Sequence, residues 1–214
     1  MNTRLYIVRH GQSLGNAEKI FLGHTDLGLT ELGDKQAKKT ASALADIEFS
    51  AIYSSDLIRA YNTALPSASL RDMDIIPDKR FRELYCGEWE GMSIDELISK
   101  YGAMFTESWV KDFGIFRMPG GESIPECAER MYEGCLDAAR SHPGTNILIA
   151  THAAAIRALY GKICGINPEN LGAELAYPSN ASYSIIEFDG SSFTPIAFSV
   201  DGHLEGMLTT WRDE

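Results

Sequence analysis

Short apolar runs that end on charged or nucleophilic residues, separated by helix-forming stretches, constrain the fold of this chain most. Leu5–Val8 is a continuous apolar run ending on Arg9-His10-Gly11, the pattern of a strand buried on both faces. Ala51-Ile52-Tyr53-Ser54 and Asn146 to Ala150 read the same way, and Ile75-Ile76 before Pro77 is a shorter version. Thr30 suits the N-cap of a helix to about Ala45, and Ser55-Asp56 offers cap chemistry for another to about Ser67. Ser93-Ile94-Asp95-Glu96 and Ser123-Ile124-Pro125-Glu126 have capping-box spacing. The second opens a helix with Ile124, Ala128, Met131, Cys135 and Ala138 on one face. Ser141-His142-Pro143-Gly144 ends it, and a further helix runs from Ala153 to Ile163. Ser182 to Phe188 and Phe193 to Phe198 flank Asp189-Gly190, a hairpin signal.

Strands that alternate with helices predict an α/β chain with a mostly parallel sheet covered on both faces. The terminal hairpin adds an antiparallel strand near the C-terminus. Sites in such sheets form beyond the carboxyl ends of strands. His10, the segment Ser55–Arg59 and His152 each follow a predicted strand, so the topology can bring His10, Arg59 and His152 together. Gly11 is expected to let the backbone turn sharply beside His10.

Composition narrows the partners. The 214 residues include 19 basic and 30 acidic ones, a formal charge of -11. Such a surface repels nucleic acid and anionic lipid. A phosphate site must then rest on a few converging cations. Cys86, Cys127, Cys135 and Cys164 show neither CxxC nor zinc spacing and read as free thiols of a reducing compartment. With no leader pattern and no apolar run of about 20 residues, the chain is read as cytoplasmic and not membrane-bound. No interdomain linker is visible.

Five blocks follow one another in order: Arg9-His10-Gly11 with Gln12-Ser13 and Asn16; Ser54 to Ala60; Arg82-Glu83-Leu84; Gly87-Glu88-Trp89-Glu90-Gly91; and Thr151-His152-Ala153-Ala154. Phe21-Leu22-Gly23-His24-Thr25-Asp26 and Leu29-Thr30-Glu31-Leu32-Gly33 join them. In these motifs the chain resembles the histidine phosphatase superfamily, the phosphoglycerate mutase-like family, from Leu5 to about Ile156. The resemblance implies a three-layer α/β/α sandwich and a single domain over 1-214, with a lid insertion at 92-118. It implies a histidine acid-type phosphatase that hydrolyses a small phosphomonoester without cofactor or metal. The implied nucleophile is His10. Arg9, Arg59, Asn16 and His152 would donate to the phosphoryl oxygens, with Gly23 and Ala153 also binding substrate. Glu83 would be the general acid and then the general base. That role needs a raised pKa, from burial or a neighbouring phosphate, and Arg82 opposes it unless it points away. The family usually has Gly-Gly where this chain has Ala153-Ala154, which fits if the backbone φ there is negative.

Three alternatives stay open at this stage. A cofactor-dependent phosphoglycerate mutase needs cations for a second anionic group, and Leu84 to Glu90 contains none. A non-catalytic phospho-ligand-binding module would be expected to lack one of His10, Arg59, Glu83 or His152. A metal-dependent hydrolase needs a ligand spacing the histidines do not have. The lid region carries Tyr101, Met104, Phe105, Trp109, Phe113 and Phe116 with only Lys100, Lys111 and Arg117 as cations. These aromatics read either as a wall for an apolar alcohol or as core. Arg59 alone also reads as a helix-surface partner of Asp56, and His24 and His142 as loop residues. Oligomeric state, monomer or homodimer, is not legible.

Overall fold

A computed structural model describes residues 2–109 and 113–209, with Ser108 described in its backbone only. Its centre is β1 (Thr3–Arg9) beside β4 (Asn146–Thr151). The remaining strands are β2 (Phe49–Ser54), β3 (Ile75–Pro77), β5 (Tyr183–Phe188) and β6 (Phe193–Val200). The helices are α1 (Leu14–Ala17), α2 (Glu31–Ala43), α3 (Ile58–Ser69), α4 (Ile94–Tyr101), α5 (Ile124–Ser141), α6 (Ala153–Cys164) and α7 (Leu171–Glu174). The strand order is β3-β2-β4-β1-β5-β6. β3, β2, β4 and β1 are parallel, and β5 is antiparallel to both neighbours.

Alternation along β1 explains the layering. Leu5 and Ile7 face one core with Ile147 and Ile149, against α5 and α6. Tyr6 and Val8 face a second core with Ile52, Leu148 and Ala150, against α2 and α3. Two covered faces make the expected three layers, and they explain why β1 reads as an unbroken apolar run. Both capping boxes form, at Ser93 with Glu96 and at Ser123 with Glu126. The five-residue stripe from Ile124 to Ala138 is buried on α5.

Two local expectations are corrected. The α3 N-terminus is not capped by Asp56. Its Ile58 N–H donates to Asp26 Oδ1 at 2.7 Å, a carboxylate from the 23–26 loop, while Ser55 Oγ accepts only from Leu57 N at 3.2 Å. Asp56 instead takes Arg82 in a fork of two 2.6 Å bonds. Gly11 does not adopt a left-handed conformation. It is needed because a Cβ there would lie 2.5 Å from the Gly33 carbonyl oxygen at the start of α2. Contact of backbone with backbone, not a turn, seats the end of β1 on α2.

Candidate active site

The register of the central strands builds the site. Arg9 pairs with Thr151, so the next residues, His10 and His152, leave the sheet side by side. Their rings lie 5.1 Å apart at 62°. Arg59 arrives from the first turn of α3, behind β2. Glu83 comes from the loop after β3. A pocket at the carboxyl ends of the strands is lined by Arg9, His10, Asn16, Gly23, Arg59, Glu83 and Ala153. His152 is fully buried against His10, at the N-cap of α6.

His10 Nδ1 lies 2.7 Å from the Gly11 carbonyl oxygen. A carbonyl only accepts, so Nδ1 carries the proton and Nε2 carries the lone pair. Burial lowers the His10 pKa well below its ordinary value, and the Arg59 and Arg9 charges lower it further, against the opposing Gly11 bond. His152 is lowered in the same way, first by burial and then by Arg59. Neither His152 ring nitrogen has a hydrogen-bond partner among the described residues, although both are buried. Two orphaned polar atoms in such a place are costly unless something binds there.

Both cations are anchored by carbonyls. Arg9 Nη1 donates to Pro178 O. Arg59, 1% exposed, donates to Thr25 O at 2.9 Å and Gly23 O at 2.8 Å. The turn that offers those carbonyls needs Gly23, whose φ is 49° and where a Cβ would meet Glu90 at 2.3 Å. Asn16 Oδ1 accepts from Ser13 N at 3.1 Å and from Asn180 Nδ2 at 3.1 Å, which leaves its Nδ2 to donate. Glu83 accepts from Leu84 N at 2.9 Å and from Ala155 N at 3.0 Å, with Ala154 N at 3.4 Å. Those α6 N–H groups tie the carboxylate to the helix that begins at His152. Arg82 points away from it into Asp56. Ala153 and Ala154 are helical, with negative φ.

The aromatics of 92–118 divide unequally. Phe105, Trp109 and Phe113 are buried and stack with Phe21, Trp89 and Phe116 as core. Of the aromatics in this segment, only Trp109 lines the pocket. Lys111 lies outside the described residues. The buried Arg157 guanidinium sits between the rings of Phe113, at 4.1 Å, and Tyr177, at 4.3 Å. Tyr177 also lines the pocket, a residue with no sequence signal, as is Asn180. His24 does not line the pocket. Its Nε2 donates to Glu83 O at 2.9 Å.

The two buried histidines have a measurable consequence. In the unfolded chain both take up a proton below about pH 6.5, while in the folded chain both stay neutral to much lower pH. The unfolded state therefore binds more protons, and folding stability falls as pH drops below about 6.5. The slope reaches ~1.4 kcal/mol per pH unit for each histidine. Denaturant unfolding in phosphate-free buffer from pH 7 to 5 checks this. His152→Asn is expected to flatten the slope by up to ~1.4 kcal/mol per pH unit, and an unchanged slope would contradict it.

Comparison with known proteins adds a second line. The model of the histidine phosphatase superfamily (branch 1) matches residues 5–200. Phosphoserine phosphatase 1 of Hydrogenobacter thermophilus is 31% identical over 205 residues, 94% of each chain. A 2,3-bisphosphoglycerate-dependent phosphoglycerate mutase of Brucella anthropi is 31% identical over 199 residues, covering 86% of this chain and 96% of its own. The solved structure of Bacillus stearothermophilus YhfR matches with a TM-score of 0.88 at 30% identity, over 94% of this chain and 99% of its own.

Proposed function

The chain belongs to the histidine phosphatase superfamily, branch 1, and we propose that it is a metal-independent phosphomonoester hydrolase working through a phosphohistidine at His10 Nε2. The observation that carries this reading is the His10 Nδ1 bond to Gly11 O, which leaves Nε2 unprotonated inside a pocket that holds two arginines. Nε2 attacks phosphorus and the ester P–O bond breaks. Glu83 gives its proton to the departing alkoxide. Water then attacks phosphorus, the P–Nε2 bond breaks, Glu83 takes the water proton and phosphate leaves.

Arg9, Arg59, Asn16 Nδ2, His152 and the Ala153 N–H are the donors to the three equatorial oxygens, whose charge the transition state spreads. Gly23 lets the loop carbonyls reach Arg59. This donor set performs the charge neutralisation that a metal ion performs elsewhere. Among the described residues, no three His, Cys, Asp or Glu side chains converge as a ligand set.

Hydrolysis is favoured over transfer by the alcohol side of the pocket. Its lining includes Ile20, Phe21, Leu22, Leu84, Trp109 and Tyr177, and among the described residues its only Lys or Arg side chains are Arg9 and Arg59. Both are taken up by the transferring group, so the carboxylate of a phosphoglycerate finds no further cation among the described lining residues. An uncharged or aromatic alcohol fits this wall, and we read 92–118 as the segment that closes over it, within one domain.

A phosphomonoester panel tests the reading. Aryl phosphates are expected to exceed phosphoserine and the phosphoglycerates by ~10-fold or more in kcat/KM, with full activity retained in excess chelator. Conversion of 2-phosphoglycerate to 3-phosphoglycerate faster than phosphate release would replace hydrolase by mutase.

A further inference from the structure

Arg130, on α5, does not itself line the pocket, yet three of its guanidinium hydrogen bonds go to the backbone that carries Glu83. Nη1 donates to Arg80 O and Arg82 O, each at 2.7 Å, and Nη2 donates to Glu83 O at 2.8 Å. Nε and Nη2 also hold Glu122 in a fork of two 2.7 Å bonds. Glu122 N donates to Tyr85 O at 2.9 Å, and its carboxylate accepts from Tyr85 N at 3.3 Å. The Glu83 carbonyl has a second donor on its other side, His24 Nε2 at 2.9 Å. His24 is fixed in turn by its own N–H to Glu90 Oε1 at 2.6 Å.

This is an expensive way to hold a loop. Desolvating a guanidinium and a carboxylate is costly, and apolar side chains often fill such space with no loss of stability. Only a planar fork of five donors reaches three carbonyls of one short segment together with a carboxylate. The peptide so gripped is the one from which the Glu83 side chain leaves. An acid must be held within about 0.5 Å of its working position.

We infer that Arg130, with His24 as its counterpart, is a positioning residue that fixes the Glu83 backbone so that the carboxyl group meets the leaving oxygen. The inference rests on the acid role of Glu83 given above. It predicts a defect confined to leaving groups that need a proton. The quantity to measure is kcat/KM, which reports the steps through alkoxide departure. It is followed across p-nitrophenyl phosphate, phenyl phosphate and a simple alkyl phosphate. The enzymes are wild type, Glu83→Gln, Arg130→Met, Arg130→Lys and His24→Phe.

Glu83→Gln is expected to lose little on p-nitrophenyl phosphate and ~10²-fold or more on the alkyl ester. Arg130→Met follows the same trend, with a loss of ~3-fold or less on the first and about 30-fold on the second. Arg130→Lys falls between Met and wild type, because an ammonium cannot span three carbonyls. His24→Phe keeps the ring and removes the donor, and it shows the same trend more weakly. It also carries the test should Arg130→Met fail to fold. Equal losses on all three esters in the Arg130 and His24 variants, with Glu83→Gln still steep, would overturn the positioning role alone. A flat Glu83→Gln profile would remove the acid assignment beneath it.

Discussion

His10→Ala is expected to abolish turnover, lowering kcat/KM by about 10⁴-fold or more on every ester in the panel. The size follows from the chemistry. In the proposed mechanism His10 Nε2 is the atom to which the phosphoryl group is transferred, while Arg9, Arg59, Asn16 and His152 donate to the phosphoryl oxygens. His152 is not expected to replace it: it is fully buried beside His10 at the N-cap of α6 and is absent from the pocket lining. The loss must be separated from unfolding, and the buried imidazole supplies the control. His10 is neutral when folded and protonated when unfolded in acid, so removing it takes one histidine's share from the acid-side loss of stability. A variant that is inactive, folded at pH 7 and less acid-sensitive than wild type matches the proposed role. A folded His10→Ala enzyme with wild-type turnover would end it.

Arg59→Met is expected to reduce kcat/KM by about 10³-fold, with kcat bearing most of the loss. One guanidinium does two jobs here. In the proposed mechanism it presents charge to the equatorial oxygens in a buried, low-dielectric site, where that charge is strongest. It also ties Gly23 O and Thr25 O, and through that loop it keeps Asp26 on the α3 N-terminus. Methionine fills the volume and leaves two carbonyls unpaired, so a stability loss of ~2 kcal/mol or more accompanies the kinetic one. Arg59→Lys restores charge but not the fork. It is expected to remain ~10²-fold down. If Arg59→Lys is as active as wild type, point charge suffices and the bidentate geometry is irrelevant.

Much of this site was legible before any coordinates, and particular residues show why. Apolar runs ending on Arg9-His10, Ser54 and Thr151-His152 encode strand ends, and parallel strands put their ends on one edge. The capping boxes at Ser93 and Ser123 are local, so spacing alone reveals them. Arg130, Asn180 and Tyr177 had no such signal. Arg130 sits on the polar side of an amphipathic helix, where periodicity marks only the buried stripe. Its partners are backbone carbonyls about 50 residues earlier, which carry no side-chain identity to read. The cap of α3 was misread for the same reason: Asp26 reaches it across the fold, whereas Ser55 and Asp56 merely precede it. Gly11 was recognised as necessary, but for a turn. Its close approach to Gly33 is a contact between segments that pattern cannot foresee. The aromatics of 92–118 read either as a wall for an alcohol or as core, and nothing in the sequence favours a wall role for all of them. Packing places Phe105, Trp109 and Phe113 in the core with Tyr101 and Phe116 partly buried against it, and Trp109 also lines the pocket.

The most direct measurement traps the intermediate. Glu83→Gln with ³²P-labelled p-nitrophenyl phosphate should form the phosphoenzyme, because that leaving group needs no proton, and should hydrolyse it slowly, because water then lacks its base. Quenching and mapping are expected to find acid-labile, alkali-stable label at near one phosphate per chain, on His10 and on Nε2. No label should appear on Glu83→Gln that also carries His10→Ala. Label on Nδ1, label on another residue, or steady turnover with no trapped phosphate would contradict the proposed chemistry.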